Sequence, residues 1–87
     1  MSKPRVQVRT RVNFRKWHDE SHVFAVLLDV HPREEGCVRF FDSRGFWDDK
    51  PESIILAGSS IVGPEIYKDC ARQMVEMGYV FTVKRAI

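Results

Sequence analysis

Arg5-Val6-Gln7-Val8-Arg9-Thr10-Arg11-Val12-Asn13-Phe14-Arg15 is the stretch from which the fold is read. Val6, Val8, Thr10, Val12 and Phe14 fall on one side of an extended chain. Arg5, Gln7, Arg9, Arg11, Asn13 and Arg15 fall on the other. Side chains alternate faces along a strand, so the run reads as a half-buried strand with one apolar and one basic face. It is rich in β-branched residues and free of glycine and proline, which suits a pleated surface. At a rise of about 3.3 Å per residue, its eleven residues make a ribbon long for a small domain. What packs on its valines builds the core, and what meets its arginines points to function.

Outward from this strand, residues 17–21 read as a turn. His22-Val23-Phe24-Ala25-Val26-Leu27-Leu28-Asp29-Val30 is almost continuously apolar, the mark of a strand covered on both faces. A second turn, His31 to Gly36, leads to a third strand over Cys37–Ser43, which completes an antiparallel meander. Arg44 to Glu52 reads as a loop carrying one aromatic pair, Phe46-Trp47. Residues 53–57 read as a short fourth strand or as the lining beneath a loop, and residues 58–63 as a connector. Pro64 opens a helix with Gly63 as N-cap, because proline at the first helical position gives up an N–H that has no partner anyway. Ile66, Cys70, Met74 and Met77, with Tyr67 and Ala71 beside them, make its apolar stripe, and Gly78 ends it. Residues 79–87 form the last strand. The expected fold is a single α+β domain over residues 1–87. Its sheet has four to five strands, mostly antiparallel, in the layout β-β-β-(β)-α-β, with one helix packed on one face. The arginine face is then expected to be open to water or to a partner.

With 87 residues, the chain is long enough for one core and short of the size at which chains divide. No apolar run reaches bilayer length, and none follows Lys3 and Arg5 as a signal peptide requires. The chain opens on Met1 and reads as a stand-alone cytoplasmic protein without a membrane partner. Cys37 and Cys70 lie in an expected strand and helix, where they read as small buried hydrophobes. The net charge of +2 is unevenly spread. Residues 1–17 hold six basic residues and no acid, whereas residues 18–87 hold eight basic and twelve acidic residues. A basic strand on an acidic body is either neutralised within the fold or turned toward an acidic partner.

Several patterns argue against particular chemistries. Gly58 and Gly63 have the spacing of a phosphate loop, but Pro64 and Glu65 stand where lysine and a hydroxyl residue are required. His18, His22 and His31 do not supply a metal set on one face of a hairpin, so no metal and no cofactor is expected. There is no Gly-x-Ser-x-Gly, His-Glu-x-x-His or Cys-x-x-Cys, and the chain is read as non-enzymatic. Gly36 to Phe41 is similar to the aromatic strand of an RNA-recognition motif. The helix that this motif needs between its first strands is missing, and the match is rejected.

What remains is binding. Arg5, Arg9, Arg11, Arg15 and Arg39 make a candidate basic surface, and Phe46 and Trp47 a candidate aromatic anchor on a loop; tryptophan and arginine dominate interface hot spots. The expected function is a small protein that regulates or inhibits a macromolecular partner by contact. The partner is an acidic surface, protein before DNA or RNA, with a homodimer as a further arrangement. Phages and other mobile elements make regulators of this size, although no residue names a source. The alternative is nucleic-acid binding, since arginines two apart on a strand stand about 6–7 Å apart, close to the spacing of successive phosphates.

Overall fold

The computed structural model describes residues 8–84. Strand β1 (Val8–Trp17) is the spine of a sheet completed by β2 (Val23–Leu27), β3 (Cys37–Asp42), β4 (Phe46–Pro51), β5 (Ser59–Ile61) and β6 (Tyr79–Val83). Helix α1 (Glu52–Gly58) precedes β5, and helix α2 (Pro64–Glu76) precedes β6. The α+β architecture, an antiparallel sheet with a helix packed on it, is the expected one.

The strand order is β4-β3-β2-β1-β5, and β6 also pairs with β1. One edge of β1 therefore meets β2, from Val12 opposite Leu27 to Lys16 opposite Val23. Its other edge is shared. Arg15 to Trp17 pair antiparallel with β5, and Val8 to Val12 pair parallel with β6. This parallel pairing was not expected. It is possible because α2 carries the chain back along the sheet before β6 begins, and parallel neighbours need such a crossover.

In-register residues share a face. Phe14, Ala25, Phe41 and Trp47 form one row across the sheet, on the face covered by α2. Here Val12, Phe14, Val23, Ala25, Leu27 and Phe41 pack with Cys70 and Met74 of the helix. The sheet curls around α2. Trp47 and Tyr79 stand on strands four places apart, a span of about 19 Å if the sheet were flat, yet their ring centroids are 5.4 Å apart. The wrapped side is called the inner face below.

The outer face differs from expectation. It is not an open arginine surface, because α1 lies on it over a second core of Phe24, Val26, Phe40 and Ile55. The apolar run Ser53 to Ala57 suits a short strand or a helix equally well, and here it is helical, burying only Ile55. β2 is buried along its whole length by the two cores, as its continuous apolar run requires. The inner stripe of α2 is Tyr67, Cys70, Ala71 and Met74; Ile66 and Met77, expected to join it, are 55% and 42% exposed.

The other change is at β4. Its acids and lysine suggested a loop, but they alternate as a strand does: Asp48 and Lys50 share the outer side with Phe46, and Asp49 turns inward with Trp47 to meet Arg39. A tight turn makes the hairpin possible: the Gly45 N–H donates to the Asp42 carbonyl at 2.8 Å, and Gly45 holds φ +100°, open to a residue without Cβ. Gly78, at φ +96°, ends α2 in the way expected of its position. Among the described residues no helix is long and apolar enough to cross a membrane.

Candidate functional site: the outer-face cleft

The sequence-derived site residues do not form one surface. Arg5 lies outside the described residues. Arg9 is exposed and makes no ion pair among the described residues. Arg11 is bound to Asp29 by three side-chain hydrogen bonds, Nη2 to Oδ1 at 2.8 Å and Nε to Oδ2 and Oδ1 at 3.0 and 3.3 Å, and its backbone N–H donates to the same carboxylate at 2.9 Å. These donors hold the Asp29 carboxyl down at about 2. Arg15 is buried beneath β5. Its Nε donates to Ser59 Oγ at 2.7 Å and its Nη2 to the Ser59 carbonyl at 2.9 Å, and burial pushes its pKa down.

Arg39 is on the other side of the sheet. Its register partner Leu27 pairs with Val12, so Arg39 shares the inner face. It pairs with Asp49 at 3.1 Å, with the two side chains 14% and 6% exposed, and its guanidinium lies 5.3 Å from the Trp47 ring centre. Asp49 also accepts the N–H groups of Arg33 and Glu34 at 2.6 and 3.0 Å. Burial pushes the Asp49 carboxyl up, but these donors and Arg39 outweigh it, so the carboxyl stays below its ordinary range. Phe41 is buried on the same face against Trp47.

Phe46 and Trp47 are adjacent on a strand rather than together on a loop, so they point to opposite faces. Trp47 joins the inner core between Phe41 and Tyr79. Phe46 stays on the outer face, 41% exposed, with the Arg44 guanidinium 5.1 Å from its ring centre.

Phe46 is at the mouth of a cleft of about 520 Å³. One wall is the outer face of β4, where Phe46, Asp48 and Lys50 alternate inward. The second wall is α1, through Ile54 and Gly58, and the third is the β1–β2 turn, through His18, Asp19 and Glu20. The floor is Trp17, Phe40 and Asp42, with Arg44 beside it.

The floor is built rigidly. The Trp17 ring stacks on Phe24 with centroids 4.2 Å apart, and its Nε1–H donates to Asp42 at 3.4 Å. Asp42 is fully buried and accepts three further hydrogen bonds from Arg44: from the backbone N–H at 2.9 Å, Nε at 2.9 Å and Nη2 at 3.0 Å. Burial raises the Asp42 carboxyl, but Arg44 outweighs burial and the group stays ionised below its usual range. The Arg44 Nη2 also lies 2.8 Å from Glu20 Oε1, in ion-pair contact but out of line for a hydrogen bond. That oxygen is shut off from water and has no hydrogen-bond donor. His18 Nε2 meets Ser60 Oγ at 2.7 Å, which ties the turn to β5.

The lining has four carboxylates (Asp19, Glu20, Asp42, Asp48) against two cations (Arg44, Lys50), so it carries −2 on a chain of +2. The arrangement offers aromatic and aliphatic contact framed by acids. A smaller hollow of about 290 Å³, between β5, β6 and the start of α2, is lined mainly by apolar side chains such as Phe14, Val62 and Tyr67. The thiols are poor nucleophiles: burial raises Cys37, helped by Glu34, and pushes Cys70 up to about 12. Among the described residues no three His, Cys, Asp or Glu side chains gather as a metal set.

Of the expected residues, only Phe46 reaches the cleft. Trp17, Asp42, Arg44, Asp48 and Ile54 line it as well and are not among the expected site residues. The alternation of Phe46, Asp48 and Lys50 was the available signal, masked by the charge of the segment. Comparison with known protein families, with curated proteins and with solved structures finds no match to this chain.

Proposed function

We propose that this is a small non-enzymatic binding protein that regulates or inhibits a macromolecular partner by protein–protein contact, with the outer-face cleft as its contact site. The observation that carries this reading is the exposure of two large apolar side chains, Phe46 at 41% and Ile54 at 51%, on a preformed cleft. Its volume falls in the range of sites that accept side chains or small ligands, about 300–1,000 Å³. Aromatic anchors beside arginine, ringed by polar groups, match the make-up of interface hot spots. The nucleic-acid reading loses support for a geometric reason. Arg11, Arg15 and Arg39 are held by Asp29, Ser59 and Asp49, and Arg39 is on the opposite face from the other two.

The test is capture of a partner by tagged protein from native-host lysate, with nuclease treatment and a salt series. The wild-type protein is expected to retain a protein after nuclease and moderate salt. Phe46→Ser is expected to lose it at least about tenfold, with its circular dichroism unchanged. Recovery of nucleic acid alone, released steeply by salt, overturns the proposal. Equal retention by the variant overturns the placement of the contact in the cleft.

A further inference from the structure

Resting on that reading of the cleft, we infer that its occupant is a basic segment of the partner: a short stretch in which arginine or lysine stands next to an apolar residue. This reverses the polarity expected from the arginine stripe, which suggested an acidic partner. The reversal follows from where the charges are. Arg11 and Arg39 already have carboxylates, and Arg15 is buried against Ser59. The carboxylates of the cleft are less well matched. Arg44 is shared between Asp42 and Glu20, which leaves one negative charge over in that group. Asp19 has no ion pair among the described residues and is exposed, and Asp48 is exposed with one oxygen on the Asp49 N–H at 2.8 Å. Lys50 is the remaining cation of the lining. A cation entering between Asp19 and Asp48 meets the uncompensated charge.

The rings point the same way. The cleft already holds its own cations over aromatic faces, Arg44 5.1 Å from Phe46 and Lys50 5.8 Å from Trp17. Aromatic faces attract cations and disfavour anions through their quadrupole. An anionic occupant would meet a lining of −2. Long basic side chains also carry aliphatic stems, which pack on apolar surface while the charged head remains among acids. Phe46 and Ile54 offer that surface at the mouth. A neutral apolar peptide would fill the space but leave Asp19 and Asp48 without counter-charge.

The probe is a phage-displayed library of random dodecapeptides, panned on the full-length protein. Recovered peptides are expected to carry net positive charge beside an apolar residue. A synthetic copy of one is expected to bind the wild-type protein with an affinity that falls as salt rises. That affinity should drop about tenfold or more in the double variant Asp19→Asn, Asp48→Asn. Both positions are exposed, so the variant should keep its fold, which its thermal unfolding checks. Binding should also drop with Phe46→Ser. Acidic or uncharged peptides that depend on Phe46 but bind the double variant undiminished overturn the basic-segment inference and leave the cleft as contact site. Peptides indifferent to Phe46→Ser, or no enrichment at all, overturn both.

Discussion

Arg9 and Arg15 are on the same face of the same strand and do different things. Arg9 stands in water, whereas Arg15 is 5% exposed and serves as a hydrogen-bond donor to Ser59 of β5. Glutamate at position 15 offers no donor to the Ser59 carbonyl and places an anion among buried groups. Arg15→Glu is expected to destabilise the fold by about 3 kcal/mol or more. Arg9→Glu is expected to stay within about 0.5 kcal/mol. Urea unfolding midpoints check both, and equal midpoints would show that Arg15 is not held as described. The alternation that put these arginines on one face is readable from eleven residues. Which of them reaches water is not. Ser59 comes 44 positions after Arg15, and no local pattern announces that β5 will cover that end of the strand.

Among the elements, α2 shows how far periodicity carries. Cys70 and Met74 were placed correctly because they sit at the centre of any apolar stripe the helix has. The flanks were decided by the sheet. Tyr67 turns inward because Phe14 offers it a stacking face, with ring centroids 4.1 Å apart, and Ile66 is then left outside. Met74→Asp should therefore unfold the protein, whereas Ile66→Lys should leave the melting temperature within a few degrees. A stable Met74→Asp would refute the inner face assigned to α2. β4 and α1 were hard to read for opposite reasons. Phe46 to Pro51 is a strand whose charges resemble a loop. Ser53 to Ala57 is an apolar run with no turn signal to separate strand from helix. The cleft lies between these two elements, so most of the site was illegible for the same reason that they were.

For the whole molecule, the carboxylates set the response to acid. Asp29, Asp42 and Asp49 all have pKa values lowered in the folded protein, Asp29 to about 2. A depressed pKa means that the unfolded chain takes up protons first as pH falls. The stability these groups contribute is present in full above their unfolded values, near pH 4. It is lost as pH drops through the folded ones. The melting temperature is expected to be level from neutrality down to about pH 5 and to fall steeply below about pH 4. Asp42→Asn should lower it at neutral pH, because Arg44 loses its buried counter-charge, and should make the acid fall shallower. A melting temperature unchanged at about pH 3 would show that these pairings contribute little.

The parallel contact between β1 and β6 bears on how the chain comes together in time. Tyr79 is made 71 positions after its partner Val8. Closing a loop of that length costs about 4 kcal/mol of chain entropy before any contact repays it. The β1–β2 hairpin needs a connection of only five residues and can form on its own. During synthesis, β1 is therefore half-dressed. Its edge from Val8 to Val12 must wait, bare, for β6, and the wall of the curl that brings Tyr79 against Trp47 is the last of the six strands to close.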